Sequence, residues 1–310
     1  MAKINIGGQA VIEGVMMKGR HIYAVSVRKA DGTITTDIQH STTIMERIKI
    51  LKLPILRGMA TFVESLVLGV KTLSFSAELY GEEEDAEEPS KFEVWLQNRL
   101  GDKGEKIIMG LTMCLSFVFA IGLFMVLPML ISRLFRHQAT SSFVQNLIEG
   151  IIRITIFLIY MKLISKMKDI ERTFQYHGAE HKTINCLENE KELTVENVKA
   201  CSRLHKSCGT SFLFIVMITS ILVFTLFTTQ ILWQRTLIRI FMVPIIAGLS
   251  YEFVRWARIS PDNKLADFLS KPGMWLQREF TTIEPDDMQI QVAIEAVKGV
   301  LENDESVSKQ

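Results

Sequence analysis

The sequence has too few cysteines for a disulfide scaffold, almost no net charge, and no segment of secretory type at its start. Four cysteines among 310 residues cannot staple a chain of this length, because disulfide frameworks belong to small, cysteine-dense secreted domains. Cys114 lies inside an apolar run, whereas Cys186, Cys201 and Cys208 cluster near histidines, a pattern of reduced thiols suited to metal. Thirty-five Lys and Arg against 34 Asp and Glu leave a net charge of +1, which excludes a polyelectrolyte-type nucleic-acid binder. Residues 1–14 carry no charged segment followed by an apolar one, so no cleavable signal peptide is expected. Charge is also missing locally: 107–131 runs 25 residues without one, and 207–234 runs 28. About 20 apolar residues span a bilayer, so both stretches read as transmembrane helices and argue against a fully soluble enzyme.

What is present begins with a small β element over 1–40. Tyr23, Val25 and Val27 alternate with Ala24, Ser26 and Arg28, and Asp31-Gly32 marks a hairpin turn before Thr33. Gly7, Gly8 and Gly14 suit tight turns and lack the spacing of a phosphate-binding loop. Thr43 and Glu46 have capping-box spacing, and Pro54 suits the first turn of the next helix. Over 55–80, Met59, Phe62, Val63, Leu66, Val70 and Leu73 recur at helical spacing, while Arg57, Glu64, Lys71 and Glu78 form one polar stripe. This fits an amphipathic helix on a membrane surface or against a partner helix; a fifth span with a polar seam is the alternative. Residues 82–88 form an acidic linker, and 91–106 lead amphipathically into the first span.

Four spans are expected, at 107–131, 143–165, 212–233 and 237–254. The second contains Glu149 and Arg153, four apart and able to pair on an inward face, with Lys162 snorkelling at an end. The fourth carries Pro244. Four spans put both termini and the 166–211 loop on one side. Basic residues number eight in that loop and four in the two short hairpins, Arg133, Arg136, Arg235 and Arg239. The count favours a cytoplasmic loop and cytoplasmic termini, and a long N-terminal region without an export signal points the same way. Residues 284–287 start a final soluble helix running to about 301. The expected fold class is an all-α polytopic membrane protein with about four transmembrane helices, a small N-terminal β element and amphipathic cytoplasmic helices. Its parts are the β element (1–40), amphipathic helices (41–81), linker and lead-in helix (82–106), membrane domain (107–259) and soluble helical tail (260–310).

Three of the six histidines fall in the 166–211 loop. Residues 176–181 contain H-x-x-E-H. On a helix, His177 and His181 project one turn apart on one face, where two imidazoles can share a metal, and Glu180 lies close enough to orient a water. The order inverts that of the zincin motif, whose carboxylate is a general base. Gly178 is unfavourable within such a helix. For a third ligand, Thr194 reads as an N-cap, and a helix from 195 to about 206 would put Cys201, His205 and Cys208 on one face. His205-x-x-Cys208 followed by Gly209 is itself a metal-knuckle spacing. Imidazole plus thiolate favours zinc, or another divalent transition metal, over magnesium or calcium. Four protein ligands make a closed structural site, and three leave room for water. Plainer roles stay open: the histidines hydrogen-bond lipid phosphates or backbone, and Cys201 is a small buried apolar residue.

The blocks at 7–19 (GGQAVIEGVMMKG), 54–69 (PILRGMATFVESLVLG), 176–188 (YHGAEHKTINCLE), 205–212 (HKSCGTSF) and 272–297 (PGMWLQREFTTIEPDDMQIQVAIEAV) carry a family resemblance. Together they resemble the YqhQ-like bacterial membrane proteins, a family of unknown function labelled as predicted metal-dependent enzymes. The resemblance covers nearly the whole chain. The family pattern has Pro-Arg where this chain has Lys206-Ser207, which leaves His205 and Cys208 in place. It implies a membrane fold and a metal at the same histidines, and supplies no substrate. The expected function is a metal-dependent membrane hydrolase in which His177 and His181 bind metal, His205 or Cys208 completes the site, and Glu180 activates water. The alternative is a non-catalytic assembly or regulatory partner of another membrane protein, with the His/Cys cluster as a structural clip. A transporter is less favoured, since intramembrane charges are few (Glu149, Arg153, Glu252) and no paired inverted repeat is visible. The lipid bilayer is the expected partner, and nucleic acid is not.

Overall fold

The computed structural model describes residues 6–81, 102–135, 141–206, 208–227, 231–260 and 263–304. Four strands come first: β1 Gly7–Val11, β2 Gly14–Lys18, β3 Ile22–Arg28 and β4 Ile34–His40. Helices follow: α1 Ile44–Arg47, α2 Leu56–Gly81, α3 Asp102–Ile121, α4 Leu127–Arg133, α5 Ser142–Ile164 and α6 Lys168–Glu188. The last five are α7 Val195–Lys199, α8 Gly209–Phe224, α9 Leu232–Ile259, α10 Lys264–Leu276 and α11 Asp287–Asn303. The chain divides into two compact units, one of Met1–Glu83, Met161–Thr219 and Val243–Gln310, the other of Glu84–Tyr160 and Ser220–Met242.

The first unit is built on an antiparallel meander in the order β1-β2-β3-β4. The β3–β4 turn forms at Asp31-Gly32 as the sequence predicts, with Asp31 Oδ1 accepting from the Thr33 N–H at 2.7 Å and its hydroxyl at 2.6 Å. Gly7 and Gly8 lie within β1 rather than in a turn, and the first reversal falls at Ile12-Glu13. The alternation in β3 predicts one wet face, yet Ile22 to Val27 are all buried, because helices cover both faces. Val11, Met16, Tyr23, Val25 and Val27 pack against Leu68, Phe75 and Leu79 of α2. Val15, Met17, Ile22 and Ala24 share the opposite core with Tyr176, Ala179 and Ile184 of α6, Val198 of α7, and Ile290, Ala293, Val297 and Val300 of α11.

The sheet takes a different face of α2 from the expected apolar stripe: Leu68, Phe75 and Leu79 enter the core, while Val63, Leu66, Val70 and Leu73 stay exposed. Lys71 Nζ donates to Gln39 Oε1 at 2.7 Å, and the Ile12 N–H to Ser76 Oγ at 3.2 Å. Near its start, Arg57 Nε donates to Glu252 of α9 at 2.6 Å. The capping box expected at Thr43 does not form. Its side chain makes no cap bond, and its carbonyl instead accepts from the Glu46 N–H at 3.0 Å. A full capping box appears at Asp286 and Gln289, starting α11. The far end of α11 is tied back to the sheet by Asp304, whose Oδ2 accepts from the N–H groups of Arg20 and His21 at 2.9 and 3.1 Å.

In the second unit α3 continues through a π-turn at Gly122–Val126 into α4. Phe124 meets Phe157 and Tyr160 at centroid distances of 6.4 and 5.4 Å. Glu149 and Arg153 pair at 2.9 Å and are buried, as their spacing predicts. Arg235 and Arg239, read from sequence as hairpin charges, are buried too. The expected span at 212–233 straddles a break, because α8 ends at Phe224 and α9 begins at Leu232. Pro244 is accommodated inside α9, which runs past both ends of the expected 237–254 span. Among the described residues, Leu56–Tyr80, Gly110–Arg133 and Trp233–Ala257 are the helical stretches long and apolar enough to cross a membrane. The expected linker at 82–88 and the lead-in segment through 101 lie outside the described residues.

Ile290 is fully buried where α11 meets the sheet. Ile290→Ala should therefore destabilise the protein by about 2–5 kcal/mol, read as a lower melting temperature of the full-length purified chain. An unchanged melt would remove α11 from the core.

Candidate metal centre

The centre is built on α6. Asp169 and Glu171 in its first turn suit the positive end of the helix, and Tyr176, Ala179 and Ile184 fix its rotation by entering the sheet core. His177 and His181 then lie one turn apart, with ring centroids separated by 4.3 Å. Each ring is held through Nδ1 by a main-chain carbonyl, His177 by Thr281 and His181 by Arg203, both at 2.7 Å. A carbonyl only accepts, so both Nδ1 atoms carry the proton and both Nε2 atoms present a lone pair. His177 Nε2 lies 3.2 Å from Cys208 Sγ. The ligand atoms of His177, His181 and Cys208 all fall within 4.8 Å of one another.

Cys208 immediately precedes α8, and its sulfur receives the Thr210 N–H at 3.4 Å. The expected helix from 195 to 206 stops at Lys199, although Thr194 caps it as predicted, accepting from the Asn197 N–H at 3.2 Å. The reason lies in α6, whose side chains take the carbonyls a longer helix would need. Lys182 Nζ donates to the carbonyls of Lys199 and Cys201 at 2.8 and 3.0 Å, and Asn185 Nδ2 to those of Ser202 and Leu204 at 2.6 and 3.1 Å. Residues 200–206 consequently form a strap across α6. Cys201, His205 and Cys208 do not share a helix face. Cys201 sits beside Cys186, which is buried, and burial raises the Cys186 thiol to about 11. The His205 ring lies 5.8 Å from that of His181, but its Nε2 meets the Glu188 carboxylate at 3.2 Å. The structure therefore gathers His177, His181 and Cys208, and leaves His205 on Glu188.

Glu180 is buried, with Oε2 3.7 Å from His177 Nε2 and 3.9 Å from His181 Nε2. Burial pushes its carboxyl up, against the pull of His177 and His205. Burial also pushes the His181 imidazole down. Both shifts favour the uncharged groups. Two close approaches complete the wall. A Cβ at Gly8 would meet Glu180 Cγ at 2.6 Å, and one at Gly178 would meet the Ile283 carbonyl oxygen at 2.1 Å. The space that Gly178 leaves on α6 is thus filled by the 281–283 turn, which the Ile283 N–H joins to the Phe174 carbonyl at 3.0 Å.

In a tetrahedral zinc site neighbouring nitrogen and sulfur ligands lie about 3.5 Å apart. The His/His/Cys donors, both imidazoles oriented through Nδ1 by main-chain carbonyls, fit such an ion. Several residues of this arrangement escape sequence reading. The carbonyls of Thr281 and Arg203 carry no side-chain signature, whereas Gly8, inside a strand, does mark a close approach. Gly178→Ala should displace the 281–283 turn, costing about 1–3 kcal/mol and freeing the His177 ring. A melting temperature equal to wild type would show that the turn yields without cost.

The profile of a family described as "Protein of unknown function (DUF1385)" matches residues 53–303, a span that includes the whole candidate centre. The chain is also 37% identical over 300 residues to "Uncharacterized protein YqhQ" of Bacillus subtilis (strain 168), covering 95% of this chain and 92% of that protein. No solved structure matches the chain. With the profile and a relative both matched over most of its length, the chain belongs to the DUF1385 family of YqhQ-like proteins.

Proposed function

We propose that this chain is a multi-pass protein of the cell membrane with a zinc-dependent hydrolase centre on its cytoplasmic face. The observation that carries the metal assignment is the pair of Nδ1-to-carbonyl bonds, which turns two Nε2 lone pairs toward Cys208 Sγ. Zinc, or another divalent transition metal, would be held by His177, His181 and Cys208, and would supply Lewis acidity toward water and a scissile carbonyl or phosphoryl group. Glu180 is the proton carrier. It takes the proton of the attacking water as that oxygen bonds to the electrophilic centre, then returns it to the leaving group as the scissile bond breaks. A second reading is a structural clip joining α6, the start of α8 and the 281–283 turn for assembly with another membrane protein. The close packing at Gly8 and Gly178 favours it.

Four crossings are supported by parity. The sheet, α6 and α11 share one core, so the chain between α2 and α6, and again between α6 and α11, must cross an even number of times. Helix α2, laid along the sheet, serves as a cover rather than a span. The exposed Leu111, Leu115, Phe117 and Phe119 of α3 suit contact with lipid. Burial of Arg235 and Arg239 removes both from the count of hairpin charges, which strengthens the cytoplasmic assignment of the 166–211 loop and the termini.

Purified wild type should retain zinc, and His181→Ala should lose both metal and protein level. Glu180→Gln separates the two readings. A general base is worth about 10² to 10⁴ in rate and little in metal affinity, so in the hydrolase this variant binds zinc and accumulates normally yet fails to restore a deletion phenotype. Full complementation by Glu180→Gln would leave only the clip. Topology is read with new cysteines at two exposed positions in a Cys114→Ala background. Ser141→Cys should react with an impermeant thiol reagent in intact cells, and Glu196→Cys only after permeabilisation. The reverse pattern would invert the assignment.

A further inference from the structure

Among its described residues, the second compact unit buries more positive than negative charge. Glu149 on α5 is 1% exposed and receives three guanidiniums. Arg153 Nη2 reaches it at 2.9 Å, Arg235 Nη2 at 3.2 Å and Arg239 Nη2 at 2.8 Å, with a second contact from Arg239 Nη1. Arg153 also donates to the Phe124 carbonyl at 3.1 Å and to Ser220 Oγ at 3.2 Å, and Arg235 to Asn146 Oδ1 at 2.7 Å. Arg153 and Arg239 both lie against the Phe224 ring, 5.5 and 4.9 Å from its centroid. One carboxylate balances one guanidinium, so among the described residues this cluster carries a surplus of two positive charges.

A structural knot does not need that surplus. Arg153 alone, four residues along the same helix, would pair Glu149. Arginine cannot shed its proton to relieve the imbalance, and uncompensated buried charge is strongly destabilising. Arg235 and Arg239 border a narrow opening of about 10 Å³ together with Phe224, Phe227 and Ile238. The apolar stretch of α9 begins at Trp233, so the two arginines stand about 3 and 9 Å along the helix at 1.5 Å per residue. That is within arginine's reach of the headgroup layer. On the outer surface Leu222, Leu237 and Phe241 are exposed and apolar, as acyl chains would require.

We propose that Arg235 and Arg239 form a binding site for the phosphate of an anionic membrane lipid, its oxygens taken by guanidinium N–H groups and its chains lying on the apolar surface of α8 and α9. Basic pockets between membrane helices take headgroups in this way, and guanidinium suits phosphate oxygens through its fork of donors. The site rests on the membrane reading and not on the metal centre. Failure of the membrane reading would appear separately, in the cysteine labelling.

The test uses the full chain purified in a zwitterionic detergent. It is titrated calorimetrically with short-chain phosphatidylglycerol, with phosphatidylcholine of equal chain length, and with inorganic phosphate. Phosphatidylglycerol should bind about tenfold or more tighter than phosphatidylcholine, whose choline meets the same surplus charge. Arg235→Gln should weaken phosphatidylglycerol by about tenfold to a hundredfold, and Arg235→Lys by less. If Arg235→Gln does not accumulate, Ile238→Trp fills the opening without touching a charge and should abolish the difference between the two lipids. Inorganic phosphate binding as tightly as phosphatidylglycerol, and lost in the same variants, would assign the site to soluble phosphate and overturn the lipid. Equal binding of the two lipids, or binding that Arg235→Gln or Ile238→Trp leaves unchanged, would overturn the site itself.

Discussion

A four-stranded sheet with apolar side chains on both faces has no stable place in water until each face is covered. In this chain the cover comes from remote stretches: α2 on one face, and α6 with α11 on the other. That requirement organises the first unit. The helix that carries the histidines cannot rotate, because Tyr176, Ala179 and Ile184 are already in the core. The final helix cannot drift, because Asp304 holds the turn at Arg20 and His21. Three distant parts of the sequence therefore stand in one register around the sheet.

The candidate centre follows from that register. Fixing α6 points Lys182 and Asn185 at the strap, and the strap then offers the Arg203 carbonyl to His181. The opposite wall works similarly. Arg203 Nη1 contacts Thr282 Oγ1 at 3.2 Å, and the neighbouring Thr281 carbonyl orients His177. Neither imidazole is oriented by another titratable side chain through Nδ1, so their tautomers do not change when a carboxylate is protonated. Burial disfavours charge on Glu180 and on His181, where the neighbouring His177 adds to it. A cation bound by the three donors would act in the opposite sense on Glu180, favouring its carboxylate.

Local pattern made some of this legible before the fold was known. The H-x-x-E-H spacing needs only a helix, and α6 is one. The Asp31-Gly32 hairpin, the Thr194 cap and the Glu149–Arg153 pair likewise depend on residues close in sequence. What was not legible depends on partners far away. Residues 200–206 have the look of a helix, yet α6 side chains capture the carbonyls. Nothing within that segment records the competition. The alternation in β3 implies a wet face at Ala24 and Ser26, and α11, from the far end of the sequence, covers it. Arg235 and Arg239 near a hairpin look solvated until Glu149, some ninety positions earlier, is found beneath them.

The two buried polar clusters differ in what they leave unbalanced. At His177, His181 and Cys208, lone pairs converge within 4.8 Å of one another. Such a set of donors suits a positive ion. Around Glu149 the surplus consists of guanidiniums, which keep their charge at any physiological pH. Proton movement cannot balance them, and backbone carbonyls, like the one Arg153 takes from Phe124, lower the cost without cancelling the charge. Only an anion does that. The same chain thus carries one cluster whose donors suit a cation and another whose surplus charge suits an anion.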